Sequence, residues 1–365
     1  MRIPFLDLTQ QNIALKQELE QSFQKVLSAG PLIGGHFVKT FEKSFADYHA
    51  VKHCISTGNG TDSLFAALKM NGIGMGDEVI TPAWSWISTS ETISLTGAKP
   101  VFADVAGDTF TISVQDVESK ITNRTKAIIA VHLYGQCCEM NALQKIGSAN
   151  KLVLIEDCAQ AHGAKQNGKL AGTFGNLSSF SFYPTKNLGA IGDAGCLLTD
   201  DDDLAVKLRR FVNHGGLIKE EHVFEGMNSR MDAVQAAVLD SKLKYLNSWN
   251  ARRQAIAQQY FEKLKGLESI QLPTVLLGNE HVFHLFVIRS KKRDALKKYL
   301  MDNGIETMIH YPKALPFEPA YGQFKFSRED FPIAYKLQDE VLSLPCHPFL
   351  TDDEVDYICD AIKKF

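Results

Sequence analysis

The chain has 365 residues, 45% of them hydrophobic and 22% charged, with a formal net charge of −3. That is enough apolar chain for a large cored domain and a smaller companion, and too little positive charge for a nucleic-acid or membrane-surface binder. Seven cysteines, an odd number without a Cys-x-x-Cys pair and with Cys137 and Cys138 adjacent, fit neither a disulfide framework nor a zinc site, and read as reduced thiols in a metal-free, cytoplasmic protein.

The opening Met1-Arg2-Ile3-Pro4-Phe5-Leu6-Asp7-Leu8 lacks the apolar core of a secretion signal. No later run reaches the roughly 20 apolar residues of a membrane span. Residues 11–28 have the 3.6-residue periodicity of an amphipathic helix, broken by Gly30-Pro31 and Gly34-Gly35, and helical spacing resumes over 38–48. From residue 53 short apolar runs at 53–57, 78–81, 99–104, 126–132 and 151–156 alternate with helical stretches at 61–71, 84–96, 113–121 and 139–149. Such βα repeats predict an α/β fold with a mostly parallel sheet covered on both faces. Its ligands belong at the carboxyl ends of the strands.

Further strands are expected at 177–183 and 194–199, then helices at 202–213 and 230–263, the latter broken near Asn247. The loose segment 264–280 precedes a strand at 281–288, a helix at 291–303 and a terminal helix at 352–364. We expect a large domain over 1–250 and a small α+β domain over 251–365.

Three stretches carry chemistry. Gly58-Asn59-Gly60-Thr61-Asp62-Ser63 lies between a strand and a helix, where free N–H groups and a hydroxyl can hold an anion. The helix dipole contributes only about 0.3–1 kcal/mol, whereas each hydrogen bond to a charged group contributes about 1.5–3 kcal/mol. Thr61 is therefore the stronger candidate contact. The stretch also reads as an Asn-Gly turn before a capped helix, since it lacks both the P-loop ending and the dinucleotide fingerprint. In Ile155-Glu156-Asp157-Cys158-Ala159-Gln160-Ala161-His162-Gly163, Asp157 closes an apolar strand where the sheet opens to a ligand. A carboxylate there must be paired or protonate; capping the next helix is the plainer role. In Ser179 to Gly189, Lys186 follows an apolar, aromatic strand that can desolvate its amine and bring the pKa down toward nucleophilicity. An amine and an acid on the rims of two strands meet the demands of pyridoxal phosphate, which needs a lysine partner and a carboxylate on its ring nitrogen.

In this order, these stretches resemble the DegT/DnrJ/EryC1/StrS family of nucleotide-sugar aminotransferases. The likeness extends through Gly76-Asp77-Glu78-Val79-Ile80-Thr81-Pro82, Gly97-Ala98-Lys99-Pro100-Val101-Phe102, Gly226-Met227-Asn228-Ser229-Arg230-Met231 and His310-Tyr311-Pro312. It implies the aspartate-aminotransferase architecture (pyridoxal-phosphate fold type I) and pyridoxal 5'-phosphate as cofactor. It implies Lys186 as the cofactor-carrying lysine and proton carrier, Asp157 on the pyridine nitrogen, Gln160 on the ring hydroxyl and Trp86 stacked on the ring, with Trp84 a competitor. Gly60, Thr61 and Ser181 match phosphate contacts, and Asn228 the asparagine that reaches the phosphate from a neighbouring subunit of a homodimer. Arg230, His310 and Tyr311 are candidate substrate contacts. The implied reaction converts a nucleotide-linked keto sugar to an amino sugar with L-glutamate as donor. The opening Ile3-Pro4-Phe5-Leu6-Asp7-Leu8 recurs among enzymes that form 3-amino sugars, and elsewhere. A sugar dehydratase on the same scaffold is the first alternative, although such relatives carry histidine where this chain has Lys186. A regulator that holds the cofactor without turnover is the second, and no basic patch or DNA-binding segment accompanies it here.

Overall fold

The computed structural model describes residues 1–365. In chain order its strands are β1 (His53–Thr57), β2 (Glu78–Pro82), β3 (Lys99–Ala103), β4 (Thr125–Val131), β5 (Val153–Asp157), the two-residue β6 (Lys165–Gln166) and β7 (Lys169–Leu170), β8 (Leu177–Ser181), β9 (Gly195–Thr199), β10 (Asn279–Glu280), β11 (Phe286–Arg289) and β12 (Val341–Leu344). Seven of them form the central sheet in the order β1-β9-β8-β5-β4-β2-β3. The parallel expectation holds from β8 through β3, but β9 runs antiparallel to both β8 and β1. The link from β8 to β9 is the Lys186 turn, with no helix to carry the chain back across the sheet, so β9 must return in the opposite sense.

Burial on both faces explains the unbroken apolar runs. Ala127, Ile129 and Val131 of β4 enter a core shared with the helices Gly60–Met70 and Asp202–Phe211. Ile128 and Ala130 enter the opposite one, with Met140 and Leu143 of the helix Met140–Asn150. A third core gathers Phe41 and Phe45 of the helix Gly35–His49 beneath Phe180 and Phe182. Each large side chain so buried contributes about 1.5–3 kcal/mol, and together they fix the strands on whose ends the site stands.

Beyond residue 246 another core joins Ile256 and Tyr260 of the helix Leu246–Leu264 to Phe286 on β11, Leu342 on β12 and Ile358 on the helix Asp352–Lys364. That last helix begins with a capping box formed by Thr351 and Glu354. Ile3 is buried in the same core and bridges to Ile305, so the amino terminus packs with the carboxy-terminal elements.

Several boundaries differ from expectation. The first helix is two, Leu8–Ala14 and Lys16–Ala29, joined at Leu15. The expected helix 230–263 begins at Ala233 and is interrupted at Lys244 and Tyr245. The strand predicted from 281 begins at Phe286, because the N–H groups of Val282 and Leu285 ahead of it bond the carbonyls of Gly135 and Tyr134 instead of a strand partner. The helix Pro332–Glu340, with proline in its first turn, and β12 lie in a region the periodicity leaves unassigned. All seven cysteines are free and buried.

Candidate active site

The helix predicted over 84–96 starts at Ser88, and this delay separates the two tryptophans before it. Trp84 is fully buried and its indole N–H donates to Tyr134 Oη at 2.7 Å, which removes it from any stacking role. Trp86 is 58% exposed on the loop and lies 5.7 Å, centroid to centroid, from Tyr311. Both face a cavity of about 480 Å³. Gly60, Thr61, Asp157, Gln160, Ser181, Lys186 and His310 line the same cavity. Nine of the eleven candidate residues thus meet in one place.

One end of the cavity is built for an anion. Asn59 caps the helix Gly60–Met70 by accepting from the Asp62 N–H at 2.8 Å, and the N–H groups of Gly60 and Thr61 have no partner in the chain. The Thr61 hydroxyl contacts Ser88 Oγ at 2.8 Å. Glycine is required at position 60, since a Cβ there would lie 2.7 Å from Ser181 Cβ.

At the opposite end Asp157, the last residue of β5, accepts from the Ala159 N–H and from the Thr89 hydroxyl, each at 3.1 Å. Burial raises its pKa, opposed by the Ala159 N–H, Lys186 and Thr89. Two hydrogen bonds leave acceptor capacity on a buried carboxylate. Lys186 sits on the turn after β8, tied by its own N–H to the Tyr183 carbonyl at 2.8 Å. Its Nζ makes no hydrogen bond, and burial brings the amine pKa down to about 8, against the pull of Asp157. Gly189 closes the turn, where a Cβ would lie 2.3 Å from the Pro184 carbonyl oxygen.

Gln160 joins the two ends to the outer wall. Its Oε1 accepts from the Tyr134 N–H at 2.7 Å, and its Nε2 donates to Tyr311 Oη at 2.9 Å. His310 Nδ1 is 2.8 Å from Ser343 Oγ, and burial lowers its pKa to about 4, with Lys186 adding to the effect. Asn228 and Arg230 stand apart: both are exposed and outside the cavity of their own chain. Arg230 reaches Asn213 Oδ1 at 3.3 Å.

Thr89 and His284 line the cavity too, and sequence reasoning missed both. Their roles depend on partners distant in sequence, which no local pattern reveals. Deeper in the fold, Glu156 accepts from the N–H groups of Gly172, Phe174 and Gly175 and from His132 Nε2. His132 Nδ1 in turn accepts from the Cys138 N–H at 3.1 Å. His132, Glu156 and Cys158 have ligand-type atoms within 4.8 Å of one another. The lone pairs of His132 and Glu156 are already committed to N–H donors, so the cluster braces the turn at 172–175.

The sequence profile of the DegT/DnrJ/EryC1/StrS aminotransferase family matches residues 14–363. The chain is 44% identical, over 363 residues, to the dTDP-3-amino-3,6-dideoxy-alpha-D-galactopyranose transaminase of Aneurinibacillus thermoaerophilus, covering 100% of this chain and 99% of that one. It is 42% identical, over 367 residues, to the pleiotropic regulatory protein of Geobacillus stearothermophilus, with coverage of 100% and 99%. The solved structure of DesV from S. venezuelae, in complex with a ketimine intermediate, superimposes with a TM-score of 0.98 at 40% identity, covering 100% of this chain and 98% of that one. NtdA of Bacillus subtilis, solved with bound cofactor PMP, superimposes with a TM-score of 0.91 at 31% identity, covering 100% and 85%.

Proposed function

The chain belongs to the DegT/DnrJ/EryC1/StrS aminotransferase family, and from that premise we propose that it transfers an amino group from L-glutamate to a nucleotide-linked keto-(deoxy)hexose, using pyridoxal 5'-phosphate. The carrying observation is the pairing, in one cavity, of an unbonded lysine amine with a carboxylate that retains acceptor capacity. The cavity fits the cofactor. Unpartnered N–H groups at Gly60 and Thr61, with the hydroxyls of Thr61 and Ser181, suit its phosphate, and Asp157 suits a protonated ring nitrogen.

When bound, pyridoxal 5'-phosphate supplies an electron sink for cleavage of the C–H bond beside the transferred nitrogen. The chain's own groups do the rest. Asp157 would hold the ring nitrogen, with Thr89 and Ala159 fixing its orientation. Lys186, its amine brought down to a pKa of about 8 by burial, serves as nucleophile in its neutral form and then carries a proton on Nζ. Positioned proton transfer of that kind typically contributes about 10²–10⁴-fold. Gln160 orients Tyr311, and Trp86, which lines the cavity beside Tyr311, would stack on the ring.

We infer a homodimer in which Asn228, exposed and outside its own cavity, serves the neighbour's phosphate end. Exposed Phe23, Leu27, Leu32 and Ile33 offer apolar surface for such a contact. No helix is long and apolar enough to cross a membrane, and free buried thiols suit a reducing cytoplasm. The relative named for a 3-amino sugar favours a ketone at C3, by analogy.

Borohydride reduction of the cofactor-loaded protein, followed by peptide mapping, should place the adduct on Lys186. Incubation of 3-keto and 4-keto nucleotide sugars with glutamate should then yield an amino sugar and 2-oxoglutarate. A deoxy ketone would mean dehydration, and cofactor binding without either half-reaction would mean regulation. An adduct on another lysine overturns the proposal altogether.

A further inference from the structure

Tyr134, just beyond β4, has a backbone that few side chains adopt: φ is 60° and ψ is 0°, in the left-handed region. A bulky L residue persists there only where its surroundings over-determine it. Here each polar group of the residue is committed to a different segment. Its N–H donates to Gln160 Oε1 at 2.7 Å, and its carbonyl accepts from the Leu285 N–H at 3.2 Å. Its hydroxyl lies 2.7 Å from the Trp84 indole nitrogen and also contacts the His310 carbonyl.

The proton positions follow from the ends of this network. An indole N–H can only donate, so the Tyr134 oxygen accepts from Trp84, and its own proton goes to the His310 carbonyl, which can only accept. No other donor in the chain reaches that carbonyl. A backbone N–H likewise can only donate. The Gln160 oxygen therefore faces Tyr134, and Gln160 Nε2 faces Tyr311 Oη, 2.9 Å away. The Tyr311 oxygen accepts from that amide, and its proton is left for an acceptor in the cavity that Tyr311 lines. Burial pushes the Tyr311 pKa up, so the proton stays in place at neutral pH.

We infer that Tyr134 is a positioning residue for the reaction: by gripping the peptide between His310 and Tyr311 on one side and the Gln160 amide on the other, it sets where Tyr311 stands and leaves its hydroxyl a donor toward the bound sugar. The grip joins the two parts of the chain. Trp84, Tyr134 and Gln160 follow β2, β4 and β5 of the central sheet, whereas Leu285 and His310 belong to the carboxy-terminal elements. Gly135 permits the close approach, since a Cβ there would lie 2.9 Å from Val282 Cγ2 and 3.0 Å from the His284 backbone nitrogen. His310 Nδ1 is otherwise tied to Ser343 on β12, so toward the sheet this wall is hydrogen-bonded through Tyr134 and Gln160. Tyr134 itself does not line the cavity. Its effect on the sugar must pass through the residues it holds.

The kinetic arm of the test rests on the proposed transamination. Tyr134→Phe removes one oxygen and leaves two groups unpaired, the Trp84 indole N–H in the core and the His310 carbonyl at the wall. Trp84→Phe leaves neither unpaired, and Tyr134 can still hold His310. In cofactor-loaded enzyme, Tyr134→Phe should raise KM for the keto nucleotide sugar about fivefold, the scale of one neutral hydrogen bond. Its kcat and glutamate half-reaction should change by less than about twofold. Trp84→Phe should leave KM in place although it loses packing. In a Tyr311→Phe background, Tyr134→Phe should add less than about twofold, because the hydroxyl it positions is already gone. An unchanged KM in Tyr134→Phe, an equal rise in Trp84→Phe, or full additivity with Tyr311→Phe overturns the inference.

Two measurements need no turnover. In ¹³C-tyrosine-labelled protein, NMR should show the Tyr311 ring resonances displaced in Tyr134→Phe and unmoved in Trp84→Phe; Tyr311 signals indifferent to both overturn the inference. In wild type the Tyr134 hydroxyl proton, committed to the His310 carbonyl, should exchange slowly with water. A rapidly exchanging proton overturns the inference even if the phenylalanine variant does not fold. If no keto sugar is converted, the proposed reaction fails while these two readouts still decide the positioning.

Discussion

Glu156 and Asp157 are neighbours on one strand and point to opposite faces of the sheet, and only one of them marks a site. Glu156 is sealed and receives four donors, three of them backbone N–H groups. Asp157 receives two and looks into a cavity. Two buried lysines repeat the contrast. Burial brings both Lys186 and Lys242 to a pKa of about 8, but Lys242 donates to the Gly189 carbonyl at 2.9 Å, while Lys186 donates to nothing in the chain. Desolvation alone does not distinguish function from scaffold. Hydrogen-bonding capacity left open toward a cavity does.

The contrast can be broken in order of effect. Lys186→Ala should abolish covalent attachment of the cofactor and reduce turnover by at least about 10⁴-fold, the upper range for positioned proton transfer. Lys242→Met should still attach the cofactor. Equal loss in both would dissolve the distinction. Asp157→Asn should reduce turnover by about 10²–10³-fold, as for loss of one preorganised charge contact, with the melting transition little changed. Glu156→Gln should do the reverse: unfolding free energy should fall by roughly 3–5 kcal/mol through mismatch with its fixed N–H donors, while folded enzyme remains active in steady-state assays.

Thr89→Val keeps the shape of the side chain and removes one hydrogen bond to Asp157. Cofactor affinity measured by titration should weaken by about tenfold, near 1.4 kcal/mol, and Thr89→Ser should restore it. The smallest effect is on pH dependence. Between about 8 and 10.5 the unfolded chain holds protons on Lys186 and Lys242 that the folded one has released. Stability should therefore rise with pH across that window. In Lys186→Met the slope of unfolding free energy against pH should decrease by one proton's worth.

Much of this was legible from residues alone. Apolar runs locate every strand of the central sheet because both faces are covered, and the strand-end positions of Asp157 and Lys186 single them out. The sequence could not separate Trp84 from Trp86. Both follow β2 within four residues, and only a tyrosine fifty positions away takes the first of them into the core. The reversal of β9 was hidden because a turn and a crossover look alike when the segment between two strands is read mainly for its lysine. Thr89 resembles any serine- and threonine-rich helix start. His284 resembles a strand residue until the amides of Asn187 and Asn250 are seen behind it.

The position of β1 has a consequence for the newborn chain. It is the outermost strand of the sheet, and its only strand partner is β9, which leaves the ribosome long after it. The glycine loop that follows β1 stays without its docking surface until the lysine turn and the strand beyond it have been synthesised. Both ends of the cavity are then completed by the same late, long-range pairing. A nascent or truncated polypeptide ending before residue 195 would have no half-formed pocket in which to sequester the vitamin.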